Sequence, residues 1–204
     1  HRAASALQIV NAIYHSVIPK PGNYIVFFPS YRYMETCAEL FRRHYPAIPL
    51  HVQGAAMTPQ ERQAFLERFE TFGEMQLHFC VLGGMFAEGI DFSGERLIGT
   101  IIIGVGLPMI NPESDFVKEH FDAQGKPGYH FAYTFPGMNK VLQAMGRVIR
   151  TKKDSGIIVL IDDRYLTPLY RSLFPPHYRH ALCVRDNLRL ETLILAFWQK
   201  RSEQ

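Results

Sequence analysis

Three polar side chains in one helix-like segment have the spacing of a phosphate-binding face. Gln143, Arg147 and Arg150 recur at intervals of four and three residues, so a helix would stack them on one side. Two guanidiniums and a carboxamide suit planar, forked hydrogen bonds to phosphate oxygens. Gly146, beside Arg147, would let another backbone approach closely, at about 1 kcal/mol of lost helix propensity. The spacing alone is equally compatible with a solvated helix face that carries ordinary arginines.

A glycine-rich segment, Gly83–Phe92, is the second candidate for chemistry. Gly83 and Gly84 come directly after an apolar run, where their backbone amides could face a ligand. Asp91 could hold a sugar hydroxyl or a metal-bound water. The alternative is a glycine-rich turn with an acid that caps a helix.

The elements that must position these residues alternate between strands and helices. The predicted strands are Tyr24–Phe28, Leu50–Val52, Leu77–Leu82, Leu97–Val105 and Gly156–Ile161. The predicted helices are Ala3–Val17, Tyr31–His44, Pro59–Phe72, Pro112–Phe121, Pro136–Arg150 and Leu188–Lys200.

The predicted strands are apolar throughout, which is typical of a parallel sheet with helices on both faces. The sequence therefore predicts an α/β fold, in which ligands bind beyond the carboxyl ends of the strands. The loops expected at that edge are Pro29–Arg32, Gln53–Ala56, Gly83–Gly94, Gly104–Pro108 and Asp162–Tyr165.

Composition excludes several classes of protein. The chain has 204 residues, is 47% hydrophobic and 20% charged, and carries a formal net charge of +3, which permits nucleic acid as a partner without requiring it. No apolar run approaches the ~20 residues needed to cross a membrane. The three cysteines are too few and too scattered for a disulfide framework, so a reducing, intracellular compartment is expected. The chain begins without Met, as a piece of a longer protein would.

The motifs, in order and spacing, resemble those of the C-terminal motor domain of the XPD/DinG helicases of superfamily two. The resemblance extends from Tyr24 to Tyr165. Its pieces are Phe27–Tyr31 (motif IV), Phe86–Phe92 (motif V), Gly106–Pro108 with Pro112, Gln143–Arg150 (motif VI) and Asp162–Tyr165. It implies a three-layer RecA-like domain with a mostly parallel sheet and helices on both faces.

For the nucleotide, the resemblance implies that Arg147 and Arg150 are arginine fingers. They would reach the γ-phosphate of an ATP that is held, with Mg²⁺, by another motor domain. Gln143 would lie near the same phosphate. The other nucleotide-binding residues that the resemblance implies are Gly89, Asp91 and Gly146.

For DNA, the resemblance implies movement from 5′ to 3′ along a single strand. Ser30 and Tyr31 would meet the strand's backbone, and Gln53 occupies a place where related proteins have another polar DNA contact. The remaining DNA-binding residues expected on this basis are Gly83, Gly84 and Glu88.

Parts of an ATPase are missing from this sequence. It contains no G-x-x-x-x-G-K-[ST] phosphate cradle and no Asp-Glu-x-His segment for metal and water. It also lacks the four cysteines that hold the family's iron–sulfur cluster, which is therefore possible only elsewhere in the parent protein. The sequence is expected to be half of an ATPase, and its first partner is an N-terminal motor domain of the same protein.

The tail is expected to differ from the rest. Residues 1–170 are predicted to form the motor domain and residues 171–204 a C-terminal extension. Its apolar last helix would either pack on the domain or dock a replication or repair protein. A non-catalytic RecA-like scaffold that binds such a partner is the alternative function.

His177 and His180 are interpreted as ordinary surface histidines, with no metal site expected. The location would be cytoplasmic, at the nucleoid, in a bacterium and nuclear in a eukaryote.

Overall fold

The computed structural model describes residues 2–86, 96–149 and 154–202. Its strands are β1 (Asn23–Phe28), β2 (Leu50–Val52), β3 (Gln76–Val81), β4 (Gly99–Ile103) and β5 (Ile157–Ile161). Its α-helices are α1 (Arg2–Val17), α2 (Tyr31–His44), α3 (Pro59–Glu67), α4 (Pro112–Ala123), α5 (Phe135–Met145), α6 (Pro168–Ser172) and α7 (Asn187–Ser202).

The five strands form one sheet in the order β2-β3-β1-β4-β5. Every neighbouring pair is parallel, with Asn23 level with Gln76 and Tyr24 level with Gly99. The first strand of the chain therefore lies at the centre of the sheet. The predicted α/β fold with a parallel sheet is confirmed.

Both faces of the sheet are covered, which explains why the strands are apolar at every position. Along β1, Tyr24 and Phe28 point into a cluster that α1, α2 and α7 complete. Phe27 points into the opposite cluster, which includes Phe65 of α3 and Val141 of α5. The result is the three-layer arrangement that the resemblance implies.

Local signals account for the first turns of two helices. Ser30 has extended backbone, and its hydroxyl accepts a hydrogen bond from the Tyr33 amide at the start of α2. Thr58 and Glu61 form a reciprocal capping box at the start of α3, with Pro59 in the first turn. The predicted bounds of α2 are confirmed, whereas α3 ends earlier than expected and continues as the 3₁₀ turn Arg68–Glu70.

The predicted helix Pro136–Arg150 is wrong at both ends. A π-helical segment, His130–Thr134, leads directly into α5, so helical backbone begins before the predicted start. α5 ends at Met145, where Gly146 follows and the Arg147 amide donates to the Ala144 carbonyl in a tighter turn. Glycine is a weak helix former, which fits an end at this position.

The last helix packs against the first. His15 of α1 hydrogen-bonds to Glu191 of α7, and the Lys20 ammonium lies 4.1 Å from the centre of the Trp198 ring. Ile194 and Trp198 are buried in the same cluster as β1. The last helix therefore packs on α1 and on the cluster that surrounds β1.

Candidate functional site

The carboxyl ends of β2, β3 and β1 lie side by side, because these strands are neighbours in a parallel sheet. Gln53 follows β2, Gly83 and Gly84 follow β3, and Ser30 and Tyr31 follow β1. The structure thus brings together five of the six residues predicted to meet DNA. We call this set, together with Lys140 described below, the strand-end row. The sixth predicted residue, Glu88, lies outside the described residues.

The buried side chain of Gln53 connects three parts of the strand-end row by hydrogen bonds. Its side chain is buried, with 2% of the residue exposed. The side-chain oxygen accepts a hydrogen bond from the Val81 amide (2.9 Å), and the side-chain nitrogen donates to the Tyr31 hydroxyl (2.7 Å). One side chain therefore joins the ends of β2 and β3 to the first residue of α2.

Ser30 and Tyr31 form the start of α2 at this edge. The hydroxyl of Ser30 is engaged as the helix cap, although the residue itself is exposed. Tyr31 is partly exposed, and burial of its phenol, with a smaller contribution from Cys80, raises its pKa. The amino end of a helix carries partial positive charge, so this end of α2 favours an anion.

The turn after β3 brings a lysine into the strand-end row that the sequence analysis missed. Gly83 has φ of +73°, and a Cβ at this position would lie 2.9 Å from Cδ of Lys140. The Lys140 ammonium would be 3.5 Å from the same point. Gly84 lies on the other side, where a Cβ would be 3.4 Å from the Gln53 side-chain nitrogen. The signal was present, since Lys140 comes one helical turn before Gln143, but its neighbour Gly83 is remote in sequence.

Two glycines determine where α5 starts. A Cβ at Gly137 would lie 2.6 Å from the Val105 carbonyl oxygen, and one at Gly106 would lie 3.0 Å from the Gly137 carbonyl oxygen. The backbone of α5 therefore touches the loop after β4 directly. This contact places the first turns of α5 at the carboxyl edge of the sheet, next to the strand-end row.

The segment after α5 lies at the amino ends of the strands, opposite the carboxyl ends where α5 begins. Val148 is buried and packs on Gly156, where a Cβ would clash with Cγ1 of Val148 and lie 2.8 Å from the Ile98 carbonyl oxygen. Ile98 and Gly156 immediately precede β4 and β5. Arg147, the neighbour of Val148, therefore lies near the amino edge of the sheet.

The segment of the predicted phosphate-binding face is an α-helix only as far as Met145. Gln143 lies on α5 and is exposed, whereas Arg147 follows the helix and is partly buried. Regular helical hydrogen bonding ends at Met145, so Arg147 lies beyond the helix that carries Gln143. The other predicted nucleotide-side residues, Arg150, Gly89 and Asp91, lie outside the described residues.

Neither a metal site nor a membrane span is found in the described part of the chain. No three His, Cys, Asp or Glu side chains of residues 2–86, 96–149 and 154–202 are grouped so that they could hold a metal ion. Within the same ranges, every helix is too short or too polar to cross a bilayer.

The all-parallel sheet, its two helical layers and the helix that runs from one edge to the other define a RecA-like motor domain. The chain belongs to the helicase C-terminal domain family, whose model matches residues 13–181.

Several relatives are named as helicases. The chain is 29% identical over 189 residues to a probable ATP-dependent helicase of Methanocaldococcus jannaschii, covering 86% of this chain and 28% of the relative. It is 30% identical to the Saccharomyces cerevisiae general transcription and DNA repair factor IIH helicase subunit XPD/RAD3, covering 71% of this chain and 20% of that protein. The chain thus spans less than a third of the length of these relatives.

Solved structures show the same fold. An apo XPD structure matches 84% of this chain and 33% of its own length with a TM-score of 0.62 at 19% identity. Domain 2 of the DEAD-box helicase Mss116p, solved with an RNA duplex, matches 96% of this chain and 65% of its own length with a TM-score of 0.54 at 14% identity.

Proposed function

We propose that this chain is the C-terminal motor domain of an ATP-dependent DNA helicase that moves from 5′ to 3′ on single-stranded DNA. The path of α5 is the observation that carries the proposal. This helix starts against Gly106 at the carboxyl edge of the sheet, and the segment after it packs on Gly156 at the amino edge. We therefore assign the DNA contacts to the carboxyl ends of the strands and the arginine for ATP to their amino ends. The helix α5 connects these two sides of the domain.

The strand-end row is the proposed DNA surface. It offers the amino end of α2, the Tyr31 phenol, the glycine turn after β3 and the Lys140 ammonium. All of these address phosphates, which every nucleotide carries, and none reads the edge of a base. Sequence-independent binding to a single strand is the behaviour expected of such a surface. Glu88 remains a proposed contact from the same loop.

Arg147 is the proposed arginine finger, with Arg150 beyond it and Gln143 nearby. ATP and Mg²⁺ would be held by an N-terminal motor domain of the same protein, because this sequence lacks a phosphate cradle. Closure of the two domains would bring the Arg147 guanidinium onto the γ-phosphate as charge spreads in the transition state. Gly89, Asp91 and Gly146 are the other proposed nucleotide-binding residues, and Gly89 and Asp91 would also couple the nucleotide to DNA.

The cysteines of this chain fit no iron–sulfur cluster. Cys37 and Cys80 are buried on opposite faces of the sheet, and Cys183 is exposed. A cluster of this family requires four thiolates. Any cluster would therefore be held by another part of the parent protein.

A protein partner at the last helix is a narrower proposal. Ile194 and Trp198 are buried against the domain, so a replication or repair protein would meet Leu188 and Leu195, which are 67% and 41% exposed. The boundary at residue 170 also stays a prediction, because α7 beyond it packs on α1.

The proposal is tested in the parent protein with one variant for the ATP side of the domain and one for the DNA side. Arg147→Ala should lower the ATPase rate about 10³-fold or more, the range found when an arginine finger is lost, and leave binding of single-stranded DNA unchanged. Arg147→Lys should restore little, because an ammonium cannot fork across two phosphate oxygens. Lys140→Ala should weaken DNA binding and leave DNA-independent ATP hydrolysis unchanged.

Arg43→Ala is the matched control, since Arg43 is an exposed arginine in the last turn of α2. It should change neither activity. If a folded Arg147→Ala parent hydrolyses ATP at the wild-type rate, Arg147 is not part of the active site. If Arg147→Ala and Lys140→Ala impair both activities equally, the assignment of one function to each edge is wrong.

A further inference from the structure

The hydrogen bonds of Gln53 have only one possible direction. The Val81 amide can only donate, so the Gln53 atom that faces it must be the side-chain oxygen. The side-chain nitrogen therefore faces Tyr31. Because an amide nitrogen has no acceptor capacity, the Tyr31 oxygen must be the acceptor of this 2.7 Å bond.

This direction determines where the proton of the Tyr31 hydroxyl points. A phenol hydroxyl both accepts and donates, and here the accepting side is occupied by Gln53. The O–H bond is directed away from Gln53, and among the described residues no acceptor for it is found. Burial raises the pKa of the Tyr31 phenol, so the hydroxyl keeps its proton at neutral pH.

We propose that Gln53 is a positioning residue that holds the Tyr31 hydroxyl as a hydrogen-bond donor to a backbone phosphate of single-stranded DNA. The inference rests on the proposed function, in which the strand-end row binds DNA. It gives Gln53 a role that needs no contact with DNA, and this agrees with the burial of its side chain.

The charge and geometry of the strand-end row agree with a phosphate as the acceptor. The amino end of α2 lies at Tyr31, and the Lys140 ammonium lies beside the glycine turn that Gln53 also touches. A phosphate oxygen can only accept, so it matches a hydroxyl whose proton is fixed outward. In the described ranges no carboxylate lies within ion-pair distance of Lys140.

Two substitutions test the Tyr31 hydroxyl and the Gln53 side chain that orients it separately. Tyr31→Phe removes the donor, and the affinity of the chain for a fluorescein-labelled oligothymidylate should fall about tenfold, the effect of losing one hydrogen bond to a charged group. Gln53→Glu replaces the donor that faces Tyr31 by an acceptor. The Tyr31 proton would then turn inward to the carboxylate, and the affinity should fall by a similar factor.

Gln53→Met covers the case in which a buried glutamate prevents folding. It keeps the length of the side chain but leaves the Tyr31 hydroxyl without a fixed direction, so a smaller loss of affinity is expected. In a Tyr31→Phe background, Gln53→Met should cause no further loss, because its effect passes through the hydroxyl. Tyr129→Phe removes an exposed phenol elsewhere and should have no effect. Melting curves confirm that each variant is folded.

The outcomes distinguish this inference from the proposed function. If the wild-type chain does not bind the oligothymidylate, the strand-end row is not a DNA surface and both fail. If the wild type binds and Gln53→Met weakens binding equally with and without the Tyr31 hydroxyl, Gln53 does not act through Tyr31. Wild-type affinity in folded Tyr31→Phe would also overturn the inference while leaving the proposed function intact.

Discussion

The ring of His78 lies flat against the ring of Phe69, with centroids 3.7 Å apart and planes inclined by 18°. His78 is fully buried in β3, and neither of its ring nitrogens has a hydrogen-bond partner among the residues that the structure describes. Burial, and then the nearby His51 and Arg68, hold the pKa of His78 well below its ordinary value. The imidazole is therefore neutral in the folded protein and contributes as an aromatic ring.

His78→Phe should raise the free energy of unfolding by about 1–2 kcal/mol. The substitution keeps the stacked ring and removes buried polar atoms that have no partner in the described part of the chain, and burial of such atoms costs about 1–3 kcal/mol by protein mutational data. Urea unfolding measures the change. The control is His44→Phe at an exposed position in the last turn of α2, where no stabilisation is expected. A less stable His78→Phe protein would mean that an imidazole nitrogen is solvated in the native state.

The same residue predicts how stability depends on pH. The unfolded chain protonates His78 near its ordinary pKa of 6.5, whereas the folded chain keeps it neutral. The unfolded state thus binds the additional proton, so stability is constant above this pH and falls as the pH drops below it. The slope from this group approaches about 1.4 kcal/mol per pH unit.

His51 should contribute in the same direction, because burial is the largest cause that lowers its pKa. Between pH 7 and 5, the free energy of unfolding should therefore fall more steeply with decreasing pH for the wild type than for His78→Phe. Parallel curves for the two proteins would contradict a neutral, buried His78.

Gly137→Ala should displace α5 and destabilise the protein by about 1–3 kcal/mol, the usual cost of inserting a methyl group into packed structure. The new Cβ would lie 2.6 Å from the Val105 carbonyl oxygen and 3.2 Å from the Gly106 carbonyl carbon. Chemical unfolding provides the measurement. Gly146→Ala is the matched control, because its Cβ would meet no atom closer than 3.5 Å. Equal stability of both variants would show that α5 does not depend on the Gly106 contact.

Binding of single-stranded DNA by this chain should be weak and gently dependent on salt. The logarithm of affinity should fall with the logarithm of salt concentration by roughly 0.7 for each phosphate neutralised. Lys140→Ala should lower this slope by about 0.7, and oligonucleotides of different sequence should bind alike. Titrations at several salt concentrations measure the slope. Tight, sequence-selective binding to a duplex would contradict the assignment.

The isolated chain should not hydrolyse ATP, with or without single-stranded DNA. It carries the proposed arginine finger but no cradle for the phosphates. A phosphate-release assay on the pure chain is the measurement, and the parent protein serves as the positive control. DNA-stimulated hydrolysis by the chain alone would contradict the division of labour between two domains.

Local and periodic signals in the sequence were sufficient for most of the fold. The strands were predictable because each is buried on both faces and is therefore apolar throughout. The start of α2 was predictable because Ser30 caps it. The end of α5 was not, since the apolar spacing continues through Val148 after the helix has stopped at Met145. The π-helical segment His130–Thr134 was also missed, because a change in hydrogen-bond register inside a helix leaves the composition unchanged.

The candidate site was predictable as a set of loops but not as a set of contacts. Parallel strands place the loops that follow them at one end of the sheet, so the loops that contain Gln53 and Tyr31 were expected at the same end. Their hydrogen bond and the burial of Gln53 depend on Val81, which is distant in sequence. The position of Lys140 depends on how α5 packs on the loop after β4, and such close backbone contact has no periodic signature.

The central position of β1 has a consequence for how the chain folds as it is synthesised. Among the described strands β1 is the first in the sequence, yet its neighbours in the sheet are β3 and β4, which are made later, while β2 pairs with β3. The apolar run Tyr24–Phe28 must therefore wait unpaired until Gln76–Val81 has emerged. Until then α1 and α2, the helices on either side of it in the chain, can cover its apolar side chains.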